Sequence, residues 1–396
     1  MTRKQYLLDT AALLWPGEGR ATAGRSGPGR PTHLLVPSAT DPRLMVPSAR
    51  RAGAAAVLGY GGHGSAQAWL KARVLAAAIA AGAGRVVMPG RLWIGDGEPG
   101  LDEHLASILG RPVLLALHIG PPRANRKPVL QLLTPRGETL AFAKLGVNEL
   151  TARLVDAEAA ALAAVGAAAP AGIAVPEVLH HGSWHGVQVL VQSALPVRRS
   201  RPTPPAQRLA AMAAVARTGA DAQGGILDYV RNLRERIAAL PDPGAATDLG
   251  TAVDRVAAAG RPLTTGAWHG DWTPWNTAFL ADPGTVLIWD WERYATGVPV
   301  GFDAIHHHLQ TGLAAARGRP LTPAVALATI AAAPELLAPF GAAAPAAADT
   351  AVLYLAEIAS RYLADNQAQA GGAVGRVGEW LLPALRAAPT ASPARP

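Results

Sequence analysis

Residues 268–276 of the chain read Trp-His-Gly-Asp-Trp-Thr-Pro-Trp-Asn, and residues 289–292 read Trp-Asp-Trp-Glu. The first motif places a carboxylate, Asp271, five residues before a carboxamide, Asn276. The second motif adds another carboxylate, Asp290. Carboxylate and carboxamide oxygens are hard ligands of the kind that Mg²⁺ binds. The order and spacing of these three groups decide the predicted fold.

A β-hairpin is predicted between the two motifs. Two apolar strand segments, 277–280 and 285–289, flank a turn of Ala-Asp-Pro-Gly. Because a hairpin brings its outer ends side by side, Asn276 and Asp290 are expected to lie near enough to share a cation. Asp271 then lies in the preceding loop, where it can accept the proton of an attacking hydroxyl. This arrangement suits phosphoryl transfer from a magnesium nucleotide, with Asp271 as base and the other two as Mg²⁺ ligands.

The pattern H-G-D-x-x-x-x-N, followed by an apolar strand and D-W-E, resembles the catalytic and metal-binding segments of the aminoglycoside phosphotransferase and choline kinase group. The resemblance implies a two-lobed α+β protein-kinase-like fold. In that fold an antiparallel sheet with one αC-type helix precedes a largely helical C-terminal lobe. The resemblance also implies a small-molecule kinase that uses ATP or GTP. Members of the group often carry His where this chain has Thr273 and Gly where it has Trp275.

A lysine for the nucleotide phosphates, and a carboxylate to orient it, are expected upstream of these motifs. The predicted strands in this region are 113–119, 129–133 and 138–144. Lys144 ends the third strand, and a helix is predicted from 148 to about 165. Glu158 falls on the apolar face of this helix, where an unpaired carboxylate would cost several kcal/mol. Lys144 is therefore its predicted partner; the alternative is two solvated surface charges.

Further nucleotide contacts are predicted in the loop 120–128 and at the end of the strand 187–193. The loop carries three prolines, which have no N–H to offer to a phosphate, so its side chains are the candidates. These candidates are Arg123, Asn125, Arg126 and Lys127. The alternative is a solvated basic hairpin tip. The resemblance places the purine at the hinge between the lobes, where the candidates are Ser193, Ala194 and Leu195; the alternative there is a plain connector.

The acceptor is predicted to be a hydroxylated small molecule, such as a sugar, an amino sugar, an aminoglycoside or an amino alcohol. From Gly297 onward there is no surplus of acidic residues, although polycationic aminoglycosides favour acidic pockets. Aromatic faces could instead hold a sugar ring or a quaternary amine. The candidates near the motifs are Trp272, Trp275, Trp291, Glu292 and Tyr294. The alternative is that these rings form core.

The composition of the chain limits the kinds of site and function that it can have. The chain has 396 residues, a formal net charge of +8 and no cysteine, which excludes disulfides and thiolate metal sites. No targeting or membrane-spanning segment is predicted, and the protein is expected to be soluble and cytoplasmic. The basic charge also allows a nucleic-acid-binding protein, but no recognition motif supports that class. A second alternative is a catalytically idle nucleotide-binding or scaffold protein of the same fold. No oligomeric state is predicted.

Four regions are predicted along the chain. Residues 1–100 form an extension or cap of unknown role, 101–196 the N-terminal lobe, 197–386 the helical C-terminal lobe, and 387–396 a disordered tail. Within the extension, 16–31 is predicted to be a mobile loop because it is rich in Gly, Arg and Pro. The segment 85–94 is predicted to be extended.

Several polar residues near the motifs are predicted to be structural. Consecutive residues on a helix point about 100° apart, so His306, His307 and His308 cannot converge on one metal and are read as structural or surface residues. His269 is predicted to brace the catalytic loop, and Asp303 to cap a helix or support that loop from beneath.

Overall fold

The computed structural model describes residues 2–27, 30–60, 66–197, 200–219, 225–316, 319–371 and 373–388. The chain divides into two compact units. Unit 1 comprises Met1–Pro121, Arg126–Asp156 and Pro176–Arg198. Unit 2 comprises Pro122–Asn125, Ala157–Val175 and Arg199–Pro396. An antiparallel sheet dominates the first unit and helices the second, which confirms the predicted α+β class.

The chain alternates strands and helices in its first half and is mostly helical in its second. The strands are β1 (Ala21–Gly24), β2 (Arg30–Val36), β3 (Leu44–Pro47), β4 (Arg91–Ile94), β5 (Leu114–His118), β6 (Val129–Leu133), β7 (Thr139–Gly146), β8 (Ile173–Ala174), β9 (Val178–Trp184), β10 (Val187–Ser193), β11 (Thr265–Trp268), β12 (Thr277–Leu280), β13 (Thr285–Ile288) and β14 (Ala295–Pro299). The α-helices are α1 (Arg3–Leu14), α2 (Arg50–Tyr60), α3 (Ala66–Ala80), α4 (Gly84–Val87), α5 (Leu101–Leu109), α6 (Glu149–Ala168), α7 (Pro205–Arg217), α8 (Ile226–Ala238), α9 (Pro243–Ala259), α10 (Phe302–Ala315), α11 (Pro323–Leu337), α12 (Ala344–Ala364) and α13 (Val377–Ala387).

Unit 1 is built on one sheet, whose strand order is β1-β4-β2-β3-β5-β6-β7-β10-β9. Every neighbouring pair in it is antiparallel. The sheet runs without a break across the predicted boundary near residue 100, because β3 pairs with β5 through Leu44↔His118 and Met45↔Leu117. The extension and the strands that follow it therefore share one sheet.

Both faces of this sheet are covered by helices. Along β5, Leu115 and Leu117 belong to a core with residues of α1 and α5. The intervening Ala116 belongs to a second core with residues of α2 and α3. Successive side chains of a strand point to opposite faces, so the two cores lie on opposite sides of the sheet. This explains why β3 is buried along its whole length.

Two predictions for the extension are wrong. The stretch 16–31 was expected to be a mobile loop, but Ala21–Gly24 forms β1, which pairs with β4 from Ala21↔Ile94 to Gly24↔Arg91. Pairing satisfies the backbone of a segment whose composition favours turns, and residues 28 and 29 lie outside the described residues. The start of the segment 85–94, expected to be extended, instead belongs to the short helix α4.

Unit 2 holds two small sheets among its helices. In one, β12 and β13 form the predicted hairpin, from Thr277↔Ile288 to Leu280↔Thr285, and β8 joins β13 in parallel. In the other, β11 pairs with β14. The hairpin therefore forms where the turn composition predicts it. The predicted tail 387–396 lies largely outside the described residues, and its first residue, Ala387, ends α13.

Within the described ranges, one stretch, Pro323–Phe340, is long and apolar enough to cross a membrane by length and composition. It contains α11, which contacts α10, α12 and α13 of the same unit. The sequence-based expectation of a protein without membrane contacts stays a prediction.

Candidate active site

The loop that carries Asp271 begins where β11 ends and is held by its backbone. Gly270 has φ +82°, a conformation that favours glycine, and a Cβ there would overlap the carbonyl of Arg293. Buried Asp303 accepts the backbone N–H groups of His269 at 2.8 Å and Gly270 at 3.2 Å. Arg361 donates to the Gly270 carbonyl at 2.8 Å. The loop is thus anchored on three sides by groups distant in sequence.

His269 links this loop to the hairpin. Its Nδ1 accepts from the backbone N–H of Asp271 at 3.2 Å, so Nε2 carries the proton and donates to the Trp289 carbonyl at 3.1 Å. Burial lowers the pKa of His269 to about 4, so the ring is neutral near pH 7. His269 therefore ties the loop to the hairpin through hydrogen bonds, as expected of a residue that braces the catalytic loop.

The Asp271 carboxylate is oriented from both sides. Its Oδ2 accepts from Asn276 Nδ2 at 2.9 Å, and its Oδ1 faces His306 Nε2 at 3.1 Å. Asn276 Nδ2 also donates to the Asp271 carbonyl, which fixes the amide relative to the loop. His306 is fully buried, yet 34% of the Asp271 side chain remains exposed. The carboxylate is therefore fixed in orientation but accessible.

The tautomer of His306 follows from Tyr354, whose hydroxyl lies 2.9 Å from Nδ1. Burial raises the pKa of Tyr354 well above its ordinary value, so the hydroxyl keeps its proton and donates it to Nδ1. Burial likewise lowers the pKa of His306, which leaves a neutral ring with its N–H directed to Asp271. Burial alone would raise the pKa of Asp271, but the interaction with His306 brings it below its usual range. Asp271 is thus ionised and able to accept a proton.

The hairpin brings the predicted metal ligands to the same end. The Trp289 N–H donates to the Asn276 carbonyl at 3.2 Å, so Asn276 lies opposite the residue that precedes Asp290. Asp290 has φ +72°, a strained conformation for a residue with a side chain. Backbone strain of this kind often occurs at functional sites, where surrounding structure enforces it.

An acidic cluster surrounds Asp290. Glu158, Asp290 and Glu292 each bring one carboxylate oxygen within 4.8 Å of the others. Glu158 also accepts the Trp291 N–H at 3.3 Å, and Glu292 accepts from Asn125 at 3.2 Å. The sequence predicts Glu158 as the partner of Lys144, and Glu292 as a residue that contacts the acceptor molecule. The donor set is made of oxygens alone, which suits a hard divalent cation such as Mg²⁺.

Six of the predicted nucleotide-binding residues lie in unit 1. Lys144 is buried on β7, opposite Val129 on one side and Leu190 on the other. The guanidinium of Arg126 stacks on the Tyr6 ring at 3.5 Å, which occupies a group expected to bind phosphate. The Ser193 N–H donates to the Glu177 carbonyl, while Ala194 and Leu195 follow β10.

The remaining candidates in the loop 120–128 have diverse surroundings. Arg123 is exposed and Lys127 half-buried. Asn125 belongs to unit 2, where its amide donates to Glu292. Asn125 is therefore placed to support the acidic cluster. The pairing of Lys144 with Glu158 and the phosphate contacts of Arg123 and Lys127 stay predictions.

Most of the aromatic candidates for acceptor binding are interior residues. Trp272 and Trp291 are fully buried, and the Trp291 indole donates to the Ile288 carbonyl. In this structure neither offers a ring face to a ligand, which corrects that expectation. Trp275 is 36% exposed, and the Tyr294 hydroxyl lies 3.0 Å from that of Thr218. Of the aromatic set, only Trp275 presents a substantially exposed side chain.

Sequence reasoning missed the contact between His306 and Asp271. The histidine was grouped with His307 and His308 as structural or surface, whereas it is one of two α10 residues that hold the catalytic loop. The other is Asp303, one helical turn earlier. The signal that could have found the pair is their i, i+3 spacing, which places both side chains on one helix face.

Comparison with known proteins finds likeness among solved structures alone. No family model matches the sequence, and no curated protein matches it. A candidate fructosamine-3-kinase from Haemophilus somnus is similar at 14% identity and a TM-score of 0.43, covering 72% of this chain and 96% of that one. The aminoglycoside phosphotransferase APH(4)-Ia, in complex with AMP-PNP and hygromycin B, shares 13% identity at a TM-score of 0.46, covering 74% and 99%. An ethanolamine kinase from Plasmodium vivax shares 9% identity at 0.40, covering 69% and 85%.

Proposed function

We propose that this chain transfers the terminal phosphoryl group of ATP or GTP to a hydroxyl of a small molecule. The observation that carries the proposal is the Asp271 carboxylate, held by Asn276 and His306 yet 34% exposed. A general base needs a fixed orientation, an ionised state and access to the proton it removes. Asp271 has all three in this structure.

Each polar residue of the site has a role in the proposed reaction. Asp271 accepts the proton of the acceptor hydroxyl as its oxygen attacks the phosphorus. Asn276 and His306 keep the carboxylate aimed at that proton. Asn276 and Asp290 would hold Mg²⁺, with Glu158 and Glu292 close to Asp290. Mg²⁺, when bound, neutralises the charge of the nucleotide phosphates.

The nucleotide is proposed to contact residues that the sequence assigns to its phosphates and its purine. Lys144 binds its phosphates, because a cation there offsets their charge during transfer. Arg123 and Lys127 add positive charge, and the backbone of Ala194 and Leu195 offers groups to the purine edge. The position of Lys144 on β7 supports this role, since a kinase-like site takes its phosphate-binding lysine from a strand of the N-terminal sheet.

The test replaces Asp271 with asparagine and measures ADP or GDP release with a broad set of hydroxylated acceptors. Asparagine keeps the size of the side chain but cannot take up the proton. Turnover should fall by about 10²- to 10⁴-fold, while nucleotide affinity stays within about threefold of the unchanged protein. In the absence of an acceptor, slow hydrolysis of the nucleotide by water provides a second readout.

The matched control is Asp282→Asn, the same chemical change on an exposed turn of the hairpin. It should leave turnover unchanged. Undiminished turnover in Asp271→Asn would refute the proposed base. Mg²⁺-dependent nucleotide binding without transfer to any acceptor, and without hydrolysis, would favour an idle nucleotide-binding protein.

A further inference from the structure

The segment of unit 1 that contains α2, α3 and α4 is strongly basic. Residues 42–95 hold no aspartate or glutamate, although the whole chain has 28 acidic residues. The same segment holds seven of the basic residues, namely Arg43, Arg50, Arg51, Lys71, Arg73, Arg85 and Arg91. The chain as a whole has a formal net charge of +8. Nearly all of this excess therefore equals the charge of one segment that has no carboxylate of its own.

Helix α3 is apolar on both of its sides. Ala76 and Ile79 are buried in the core that α2 and α3 form on one face of the sheet. Leu70, Val74 and Ala77 follow an i, i+4, i+7 spacing that places them on the opposite side of the helix. There 57% of Leu70 and 64% of Val74 are exposed. Because a helix that is apolar all round is normally buried all round, this outer side is expected to have a cover.

Basic side chains border the apolar stripe. The helical period places Arg73 on one flank of the stripe and Lys71 on the other. The Arg73 guanidinium lies 4.7 Å from the centroid of the exposed Trp69 ring. Helix α2 contacts α3 and exposes Arg51 and Leu58, two turns apart on the side opposite its own buried residues. These residues, together with Leu70 and Val74, are called the outer face below.

Helix α4 extends the same apolar character. It contacts α3 and exposes Val86 and Val87, the first of them by 84%. Contiguous exposed apolar patches mark surfaces that bind a protein or a membrane. The chemistry of the outer face, with apolar groups bordered by cations, identifies what it would bind.

We propose that the outer face binds the surface of a membrane that contains anionic lipids. Leucine, valine and tryptophan side chains enter the boundary between headgroups and acyl chains, and flanking lysine and arginine are attracted to the anionic headgroups. The contact is peripheral and needs no membrane-spanning helix. This inference goes beyond the proposed phosphotransferase function and does not depend on it. It differs from the sequence-based expectation of a protein without membrane contacts.

Two other occupants fit the outer face less well. A second copy of the chain would bring the same cations together in a symmetric contact, where like charges repel. A nucleic acid would offer phosphates to Lys71 and Arg73, but its charged backbone gives Leu70 and Val74 no apolar medium to enter. A bilayer with anionic lipids satisfies both the cations and the aliphatic side chains.

The first test measures sedimentation of the full chain with lipid vesicles. Vesicles of phosphatidylcholine with phosphatidylglycerol should bind the protein, vesicles of phosphatidylcholine alone should bind it far less, and added salt should weaken the binding. A chain with both Lys71→Gln and Arg73→Gln should bind about 30-fold more weakly, at about 1 kcal/mol for each lost cation. The control carries Lys4→Gln and Arg111→Gln, the same loss of charge at exposed positions on α1 and after α5, which pack on the other face of the sheet. Absence of vesicle binding by the unchanged protein, or equal losses in the two double variants, would overturn the proposal.

The second test removes apolar surface and keeps the charge. A chain with both Leu70→Gln and Val74→Gln should bind the anionic vesicles about tenfold more weakly, since less apolar area enters the bilayer. Its melting temperature should change little, because both side chains are exposed. The control, Leu227→Gln on the exposed side of α8, should bind like the unchanged protein.

Three results of the second test would overturn the proposal. Full vesicle binding by the Leu70→Gln, Val74→Gln chain would reduce the contact to general attraction between charges. Tighter binding of the unchanged protein to duplex DNA than to anionic vesicles at equal salt would assign the outer face to a nucleic acid. A dimer that becomes a monomer in the same double variant would make the face an interface between copies of the chain.

Discussion

Replacing Gly270 with alanine tests the backbone geometry on which Asp271 depends. Gly270 combines a positive φ of +82° with a position where a Cβ would overlap the Arg293 carbonyl. Because that neighbour is backbone, it cannot turn aside as a flexible side chain would. The loop itself must shift, which breaks or weakens the bond that the Gly270 N–H donates to Asp303 and the bond that its carbonyl accepts from Arg361.

The size of the effect follows from these contributions. The left-handed conformation costs an alanine about 1–2 kcal/mol. Each hydrogen bond to a charged group contributes about 1.5–3 kcal/mol. With one such bond lost, the free energy of unfolding should fall by about 2.5–5 kcal/mol. At about 2–4 °C per kcal/mol for a domain of this size, the melting temperature should fall by about 10 °C.

Gly284→Ala separates strain from overlap. Gly284 has φ +93° in the turn of the β12–β13 hairpin, and the described residues place no atom within 4 Å of an added Cβ. The Gly284→Ala variant should lose only about 1–2 kcal/mol of unfolding free energy, from backbone strain, and keep its turnover. Thermal unfolding by circular dichroism and nucleotide turnover are measured for both variants. If Gly270→Ala melts at the same temperature as Gly284→Ala and keeps full turnover, the close approach of Gly270 to the Arg293 carbonyl does not position the base.

His306 and Asp303 provide the remaining predictions. His306→Leu should lower kcat by about 10- to 100-fold without changing the KM for nucleotide, since Asp271 loses a bond worth about 1.5–3 kcal/mol. His306→Gln keeps an N–H and should recover most of the lost kcat. A leucine variant with full kcat would contradict the orienting role of His306. Burial raises the pKa of Asp303 from 3.8 to about 7, so between these pH values the folded chain holds a proton that the unfolded chain has released. The stabilisation from this group is therefore complete below about pH 4, and it falls by about 4 kcal/mol as the pH rises to about 7. Urea titrations at pH 4.5 and 7 should show a smaller loss of unfolding free energy in Asp303→Asn than in the unchanged protein. Equal losses in the two proteins would contradict the raised pKa of Asp303.

Local chemistry explains what the sequence could predict. The β12–β13 hairpin forms because a turn composition separates two apolar strands, and strands 129–133 and 187–193 match β6 and β10 residue for residue. Nothing local identifies β1, whose residues Ala-Thr-Ala-Gly become a strand because β4 supplies hydrogen-bond partners some 70 residues away. The burial of Trp272 and Trp291 likewise depends on distant packing, which a motif does not encode.

The position of the proposed base depends on a single face of α10. Asp303 and His306 are three residues apart and so point in the same direction. The first accepts the loop's backbone N–H groups and the second directs an N–H to the Asp271 carboxylate. His307 and His308 follow at successive steps of about 100° and lie instead along a separate cavity with Arg208 and Leu336. The three adjacent histidines therefore lie in two environments, and the helix period separates the one that orients the base from the two that do not.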